Sequence, residues 1–267
     1  MYKLLSKLKN LSNYQQTLII QAIIYASVAL VLLLAFDWLM LLKGLLLGWI
    51  FFCFAISISL HKYSSHRSFE PRNRLIKLIL LWVGTQATLG SSIGFAAGHR
   101  QHHISSDTPK DPFRLTESFM HNLKLWFYYF PISTISPRLI KDLSGDKDYK
   151  FFHSHYWKIW AVLPVSVLYF LGPINFAYFI ALPIAYGLLG MSYVTVVAHS
   201  TSWRKWFNGT ADFDTHDQSW DSKFFTVLFA GEGYHHTHHA NPSEYSYSIP
   251  GKQFDFSGFV IKYIKKD

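Results

Sequence analysis

The amino-acid sequence predicts an all-α membrane protein with four transmembrane helices in two hairpins and a histidine-rich helical cap on the cytoplasmic side. Composition is the first observation behind this prediction. Half of the 267 residues are hydrophobic and 18% are aromatic, whereas 15% are charged, well below the roughly 25% usual for soluble domains. Long apolar runs separated by polar segments are the second. The third is that fourteen histidines accompany a single cysteine, Cys53, so that a bound metal would have imidazole ligands.

Four apolar runs predict membrane spans at about residues 16–37, 42–61, 157–173 and 174–198. The first run, Leu18–Phe36, is long enough to cross about 30 Å of hydrocarbon at 1.5 Å per residue. It exceeds the apolar core of a signal peptide, so we expect it to be retained. A short connection around Lys43 joins the first two spans, and Gly172 and Pro173 separate the last two. Each pair is therefore predicted to form an antiparallel hairpin.

The charge distribution predicts the topology. Nearly all Lys and Arg residues lie in the N-terminal segment and in residues 61–156 and 199–267, whereas the hairpin tips hold only Lys43. The positive-inside rule then places these segments and both termini in the cytoplasm, within one membrane domain over residues 1–267. The bacterial inner membrane and the endoplasmic reticulum both fit. Because the basic residues flank apolar runs, anionic lipid explains the net charge of +9 better than nucleic acid does.

Two interfacial helices are also predicted. The apolar segment Leu75–Gly98 is interrupted by Gly, Ser and Gln residues, which favours an interfacial or buried amphipathic helix over a fifth span. A fifth span would also place the histidine clusters on opposite sides of the membrane. The aromatic segment Phe119–Phe130, with Tyr128 and Tyr129, is typical of a helix that lies in the interface.

The histidines form three clusters, which all fall on the predicted cytoplasmic side. They are the pair His61 and His66, the triple His99, His102 and His103, and the triple His235, His238 and His239. In each triple the spacing i, i+3, i+4 places three imidazoles on one face of a helix. The pair is less regular, because five residues turn a helix by about 500° and its rings diverge by roughly 140° unless the helix unwinds.

These clusters indicate a two-metal site. Eight or more histidines exceed the roughly three protein ligands of a catalytic zinc ion, and closely packed imidazoles need a metal to favour their neutral form. Imidazole suits zinc, copper, iron and nickel, and iron is the usual metal for oxygen chemistry near a membrane. The isolated His121, His153, His155 and His216 are interpreted as ordinary hydrogen-bonded residues. There is no His-Glu-x-x-His motif of a metalloprotease, and only Glu232 and His235 fit the Glu-x-x-His spacing of soluble di-iron bundles.

The three clusters and the residues around them resemble the membrane fatty-acid desaturases, specifically the acyl-CoA Δ9 type. The clusters have the form H-x4-H, H-x2-H-H and H-x2-H-H, in the order of the family's histidine boxes. The surrounding matches are His66-Arg-Ser-Phe69, Ser106-Asp-Thr108, Asp111-Pro112, Gly231-Glu-Gly-Tyr-His235 and Asn241-Pro242. The similarity runs from about residue 45 to residue 255.

The resemblance implies a fatty acyl desaturase whose di-iron centre uses O2 and two electrons to introduce a cis double bond, with Δ9 as the expected position. Carried over residue by residue, the implied ligands are His61, His66, His99, His102, His103, His199, His235, His238 and His239. No catalytic residue beyond these ligands is predicted. His236 is left out of the set because relatives often have Asn there.

Four residues are predicted to act around the ligands. Asp107, Asp111 and Glu232 would orient ligand imidazoles through their second nitrogen. Thr195 stands where the family often has an Asn that holds a metal-bound water. Ala97 and Gly98 replace the Arg-Asp with which animal acyl-CoA members contact the CoA end. Coenzyme A, acyl-carrier protein and lipid therefore remain open as carriers of the acyl chain.

The tail to Asp267 contains no cytochrome domain, so a separate electron donor is expected, of the cytochrome b5, ferredoxin or rubredoxin type. Two other functions remain open. A membrane di-iron hydroxylase of acyl chains, alkanes or carotenoids shares the histidine boxes. A metal-transport or metal-sensing protein would have ionisable groups along a path inside its spans. No acidic or basic residue lies in the apolar cores of the four spans, which are Leu18–Phe36, Leu45–Leu60, Ile159–Leu171 and Ile174–Ala198.

Overall fold

A computed structural model describes residues 13–116, 118–127, 135–249 and 253–267. Within these residues the chain is helical, with four isolated β-bridges and no strand. The predicted all-α class is therefore confirmed. The α-helices are α1 (Asn13–Leu34), α2 (Trp38–Phe51), α3 (Arg74–Thr85), α4 (Ser92–Ser105), α5 (Phe119–Leu125), α6 (Lys141–Gly145), α7 (Lys147–Ser154), α8 (Tyr156–Phe176), α9 (Leu182–Ser192), α10 (Thr201–Trp206), α11 (Lys223–Leu228), α12 (His235–Ala240) and α13 (Phe256–Ile264).

Three helical stretches are long and apolar enough to cross a membrane, namely Gln15–Leu34, Trp38–Ser65 and Tyr156–Val197. The second consists of α2 and a π-helix (Phe52–Ser65), and it runs beyond the predicted end at residue 61. The third is 42 residues long, about 63 Å at 1.5 Å per residue and twice the thickness of the hydrocarbon. Its backbone is not helical at Gly172, with φ 81° and ψ 174°. The break falls at the predicted boundary between the third and fourth spans, and the count of four remains a prediction.

Close packing of α2 on α9 and on the π-helical turn before it (Ala177–Ala181) joins the apolar helices. A Cβ atom on Gly44 would lie 2.6 Å from the carbonyl oxygen of Tyr178, and one on Gly48 would lie 2.8 Å from Cβ of Tyr186. Only glycine allows the two backbones to approach this closely, as is common between membrane helices. The opposite faces of α1 and α2 expose large apolar side chains such as Leu34 and Trp38. That distribution is typical of a surface that faces lipid.

The segment Leu75–Gly98 forms two helices rather than the single helix that the sequence predicted. α3 and α4 both pack on the π-helix. Between them the chain reverses through Thr88 and Gly90, whose φ angles of 56° and 84° lie in the left-handed region. Asn73 caps α3 by accepting from the amide of Ile76, and Ser91 caps α4 by accepting from that of Gly94. The polar residues that interrupt the apolar pattern are therefore the turn and the cap of a helical hairpin.

The aromatic segment is helical at its start, where α5 spans Phe119–Leu125 and is capped by Ser118. The carbonyl of Trp126 accepts a hydrogen bond from Ser192 Oγ at 2.8 Å, which ties the segment to α9. Tyr128 and Tyr129 lie outside the described residues.

Candidate metal centre

The two histidine triples lie on helices. His99, His102 and His103 occupy α4, and His235, His238 and His239 occupy α12. The first turn of α12 is anchored by Asp221, whose Oδ1 accepts from the amides of His236 and Thr237 at 2.7 and 3.0 Å. A carboxylate at this end of a helix satisfies donors that have no partner inside it.

The pair His61 and His66 lies at the end of the π-helix. In a π-helix the hydrogen bonds join residues five apart, and the amide of His66 donates to the carbonyl of His61 at 3.1 Å. The wide turn therefore places the two imidazoles on the same side, with ring centroids 4.9 Å apart. This is the unwinding that the spacing of the pair requires if both rings face one site.

The three clusters and His199, which follows the third apolar stretch, converge in two groups. In each group the ligand atoms lie within 4.8 Å of one another. The five-histidine group contains His61, His66, His99, His103 and His238. The four-histidine group contains His102, His199, His235 and His239. Each group draws on segments more than a hundred residues apart in the sequence.

The imidazoles of each group meet through their Nε2 atoms. In the five-histidine group, Nε2 of His238 lies 3.0 Å from that of His61 and 2.9 Å from that of His103. In the four-histidine group, Nε2 of His235 lies 2.9 Å from that of His199 and 3.1 Å from that of His239. Both groups therefore present several nitrogen atoms toward one central point.

Carboxylates accept from the opposite nitrogen, Nδ1, of four imidazoles. Glu232 lies 2.8 Å from His61 Nδ1, and Asp111 lies 2.9 Å from His102 Nδ1. Asp107 lies 3.0 Å from His199 Nδ1, and Asp217 lies 2.8 Å from His239 Nδ1. Three of these carboxylates, Glu232, Asp111 and Asp107, are among the residues that the sequence predicts to orient imidazoles.

Asp217 was missed. It lies in the polar loop before the third cluster, where three other acidic residues and no spacing rule distinguish one carboxylate from the next. Its Oδ1 accepts from the amide of Ser219 at 2.9 Å, which fixes the side chain against the loop. The only sequence signal was an acidic residue in a loop close to a ligand cluster.

The carboxylates decide which nitrogen of each imidazole carries the proton. A neutral imidazole that donates Nδ1–H to a carboxylate keeps an unprotonated lone pair at Nε2. In the four-histidine group, three of the four lone pairs therefore point at the same place. Lone pairs cannot hydrogen-bond one another, so this arrangement suits a cation placed between them. The donor sets of both groups fit a metal ion with imidazole ligands.

Protonation is disfavoured at most of these positions. Burial lowers the pKa of six imidazoles well below the ordinary value, and repulsion from the neighbouring imidazoles lowers it further; they are His66, His99, His103, His235, His238 and His239. Burial acts in the opposite direction on Asp107, but hydrogen bonds from His199 and from the amide of Gln218 outweigh it and lower its pKa. Neutral imidazoles beside ionised carboxylates are the state that binds metal.

The remaining histidines have other partners. His236 is buried, and its ring bonds to Ser219 Oγ at 3.0 Å and to the backbone of Phe213. The isolated His121, His153, His155 and His216 contact Arg114, Ser91, Phe151 and Asp214 respectively. None of these five belongs to either group.

Thr195 is buried one turn after Met191, and its hydroxyl donates to the Met191 carbonyl at 2.9 Å. It lies four residues before His199 in the same helical stretch. Its role toward a metal-bound water stays a prediction.

Comparison with known proteins agrees with the geometry. The family model described as fatty acid desaturase matches residues 7–250. The chain belongs to this family. It is 27% identical over 231 residues to the sn-1 stearoyl-lipid 9-desaturase of Anabaena variabilis, covering 86% of this chain and 82% of that protein. It is also 27% identical to the sn-1 stearoyl-lipid 9-desaturase of Synechocystis, over 90% and 75% of the two chains. The acyl-CoA 5-desaturase of Anemone leveillei is 26% identical, over 79% and 64%.

This member of the desaturase family has a small apolar cavity beside the five-histidine group. His61, His99 and Glu232 form its polar end. The rest of its lining is apolar and comes from the second and third membrane-length stretches and from α4; those residues are Phe52, Ile56, Phe95, Met191 and Val194. The cavity therefore lies between the membrane-length helices and the five-histidine group.

Proposed function

We propose that the protein is a membrane acyl desaturase that introduces a cis double bond, at Δ9, into a saturated fatty acyl chain. The observation that carries the proposal is the juxtaposition of two converging imidazole groups and an apolar cavity in a chain of the desaturase family. The reaction removes two hydrogens from adjacent carbons and reduces O2 to two waters with two electrons and two protons.

The nine histidines of the two groups are the proposed ligands of two iron ions. Bound there, the iron ions would supply the activation of O2. The chain's own contribution is to hold the imidazoles in place, since each carboxylate fixes one ring orientation and one tautomer. Glu232 connects His61 to the second membrane-length stretch. It contacts His61 Nδ1 and also accepts a hydrogen bond from Ser57 of the π-helix.

The cavity is proposed to mark where the reacting carbons of the acyl chain lie. Its apolar lining excludes water from the carbons that react, and its polar end at His61 and His99 places those carbons beside the five-histidine group. An unactivated methylene has no polar group by which an enzyme can orient it. The position of the reacting methylene must therefore come from the shape of the protein around the rest of the acyl chain.

The topology proposed from charge places this site in the cytoplasm. Four spans in two hairpins, with a break at Gly172, would bring both termini and all histidines to that side. A separate protein would then deliver the electrons from the cytoplasm. Relatives named for lipid-linked and for CoA-linked substrates are about equally similar to this chain, so either carrier fits the proposal.

Expression in a host that lacks its own desaturase, followed by fatty-acid profiling, tests the proposal. We expect a new monounsaturated species with its double bond at carbon 9, together with about two iron ions per purified chain. His102→Ala should abolish the product. His236→Ala is the matched control, because this buried imidazole belongs to neither group, and it should retain the product. A hydroxylated chain instead of an alkene would identify a hydroxylase, and bound iron without any modified lipid would refute both activities.

A further inference from the structure

The helix α11, directly before the third histidine cluster, carries apolar side chains on its outer face. Phe224 is 58% exposed and Val227 is 73% exposed. The helix comprises only the six residues Lys223–Leu228, and it belongs to none of the three membrane-length stretches. A short helix in water would keep these side chains inward and leave its last carbonyls to the solvent.

The carbonyls at the end of α11 have protein partners instead. Trp49 Nε1 donates to the carbonyl of Val227 at 2.8 Å, and Tyr186 Oη donates to that of Leu228 at 2.6 Å. The neighbouring carbonyls of Phe225, Thr226, Phe229 and Ala230 accept from the amides of Phe229, Gly231, Glu232 and Ser257 respectively. Every carbonyl from residue 225 to residue 230 is therefore satisfied without water. Backbone within the hydrocarbon of a membrane requires this condition, because no water is available there.

The two side-chain donors lie deep within membrane-length helices. Trp49 follows Trp38, the first residue of α2, by about 16 Å of helix at 1.5 Å per residue. That distance is about half of the 30 Å hydrocarbon thickness. Tyr186 lies well inside the stretch Tyr156–Val197. The end of α11 is thus bound to residues far from the ends of two membrane-length helices.

A second helix extends the same apolar surface. The ring of Trp49 packs on Phe256 at the start of α13, with centroids 4.7 Å apart. Further along α13, Phe259 and Tyr263 are exposed and pack on each other at 5.2 Å. Trp49 of α2 therefore contacts both α11 and α13, each of which exposes apolar side chains.

Basic and aromatic residues border this surface. Lys223 begins α11, and Lys262 and Lys266 are exposed at the end of the chain. On α10, Trp206 is 84% exposed beside Arg204 and Lys205. Tryptophan and basic side chains are the residues that sit at the headgroup level of a bilayer. The charge of this border is complementary to lipid phosphates.

We propose that α11 and α13 are embedded in the bilayer leaflet nearest the histidine groups, with lipid acyl chains covering Phe224, Val227 and Phe259. The chain then enters the leaflet between α10 and α12 and returns to its surface to deliver the third histidine cluster. This lipid-embedded pair of helices is distinct from the spans and does not depend on the reaction catalysed.

Spin labelling tests the proposal. Val227→Cys, in a Cys53→Ala background, would carry a nitroxide in nanodiscs that hold one chain each. We expect high accessibility to O2 and low accessibility to the aqueous reagent NiEDDA, as for a label at the lipid-facing Ile23 of α1. A label at Asp214, whose side chain is 85% exposed in the polar loop, should show the reverse. Phe224→Cys provides a second position if the first variant does not fold.

Each outcome decides the proposal. A label at residue 227 that reacts with NiEDDA as residue 214 does would place α11 in water and overturn it. A bimane label at the same cysteine should be quenched by brominated lipid acyl chains. Protection from O2, NiEDDA and brominated lipid together would mean that protein covers the surface, which also overturns it. Trp49→Phe removes the donor to Val227, and we expect the NiEDDA accessibility at residue 227 to rise as water enters.

Discussion

The two histidine groups differ in how the protein supports them. In the four-histidine group, three imidazoles donate Nδ1–H to carboxylates, which are Asp107, Asp111 and Asp217. In the five-histidine group, Glu232 is the carboxylate that contacts an imidazole, among the residues that the structure describes. One group has more imidazoles, and the other has more negative charge around fewer imidazoles. We infer from the difference that either means can stabilise a bound cation within one fold.

The five-histidine group has a different kind of support behind His238. The ring of Tyr247 packs against His238 with centroids 5.1 Å apart. Lys62 Nζ lies over the same Tyr247 ring, 3.9 Å from its centroid. Lys62 is fully buried and pairs with the buried Asp255 at 2.5 Å. An ion pair in the protein core therefore holds the aromatic ring on which a proposed ligand rests.

Removal of one ligand from each group is the largest expected effect and tests the difference directly. His235→Ala leaves three imidazoles in its group, whereas His238→Ala leaves four, and both side chains come from α12. We expect both variants to lose activity to background, and His235→Ala to lose more metal. Iron content per chain measures this, with His236→Ala as the control that keeps both ions. Equal metal loss in the two variants would contradict the idea that ligand number stabilises the five-histidine group.

The next largest effect is expected from Asp255→Asn. The substitution leaves the charge of Lys62 buried without an anionic partner, which costs about 3–5 kcal/mol. We expect a correspondingly lower free energy of unfolding and preferential metal loss from the five-histidine group. Glu70→Gln is the control, because Glu70 is 66% exposed and its pair with Arg67 spans 3.4 Å; an exposed pair contributes about 0–1 kcal/mol. Similar losses in the two variants would mean that the Lys62 pair is accessible to water.

The pH dependence of this effect has a definite sign. Burial acts to raise the pKa of Asp255, but the charge of Lys62 and the amides of Tyr247 and Gly258 outweigh it and lower the pKa. A carboxyl whose pKa is lowered in the folded state stabilises the protein above its unfolded pKa of about 3.9. That stabilisation is lost as pH falls through the lower, folded value. The stability difference between the wild type and Asp255→Asn should therefore stay constant from about pH 5 to 8 and narrow below about pH 4.

Loss of one supporting carboxylate should have a smaller effect, confined to one group. Replacement of such a residue typically weakens metal binding about 10–100-fold. We expect Glu232→Gln to fall near the upper end of that range, because no second carboxylate contacts its group among the described residues. Asp217→Asn should fall near the lower end, since Asp107 and Asp111 remain. Metal titration of the apoprotein measures both, with the exposed Asp214→Asn as the control from the same loop.

The sequence predicted much of this arrangement, and the parts that it missed have physical reasons. The spacing within α4 and α12 placed each triple on a helix face, because helical periodicity is local. The pair His61 and His66 required a π-helix, which no residue pattern predicts. Leu75–Gly98 was predicted as one helix because its turn at Thr88 and Gly90 consists of small and weakly polar residues. Asp217 and the Lys62–Asp255 pair depend on contacts between distant segments, and the spacing of residues along the chain does not predict such contacts.

The smallest effect is expected from Tyr247→Phe, and it tests whether the five-histidine group is supported by packing alone. Tyr247 Oη is buried, and none of the described residues lies within hydrogen-bonding distance of it. Phe keeps the ring on His238 and beneath Lys62, so stability and metal affinity should change by less than about 0.5 kcal/mol, or rise slightly as an unpaired hydroxyl is removed. Tyr247→Leu removes the ring and its contact with the buried cation, which is worth about 2 kcal/mol. Metal titration and unfolding of the two variants separate these effects. A loss of tenfold or more in metal affinity for Tyr247→Phe would show that the hydroxyl has a hydrogen-bond partner, and the five-histidine group would then be supported by polar contacts as the four-histidine group is.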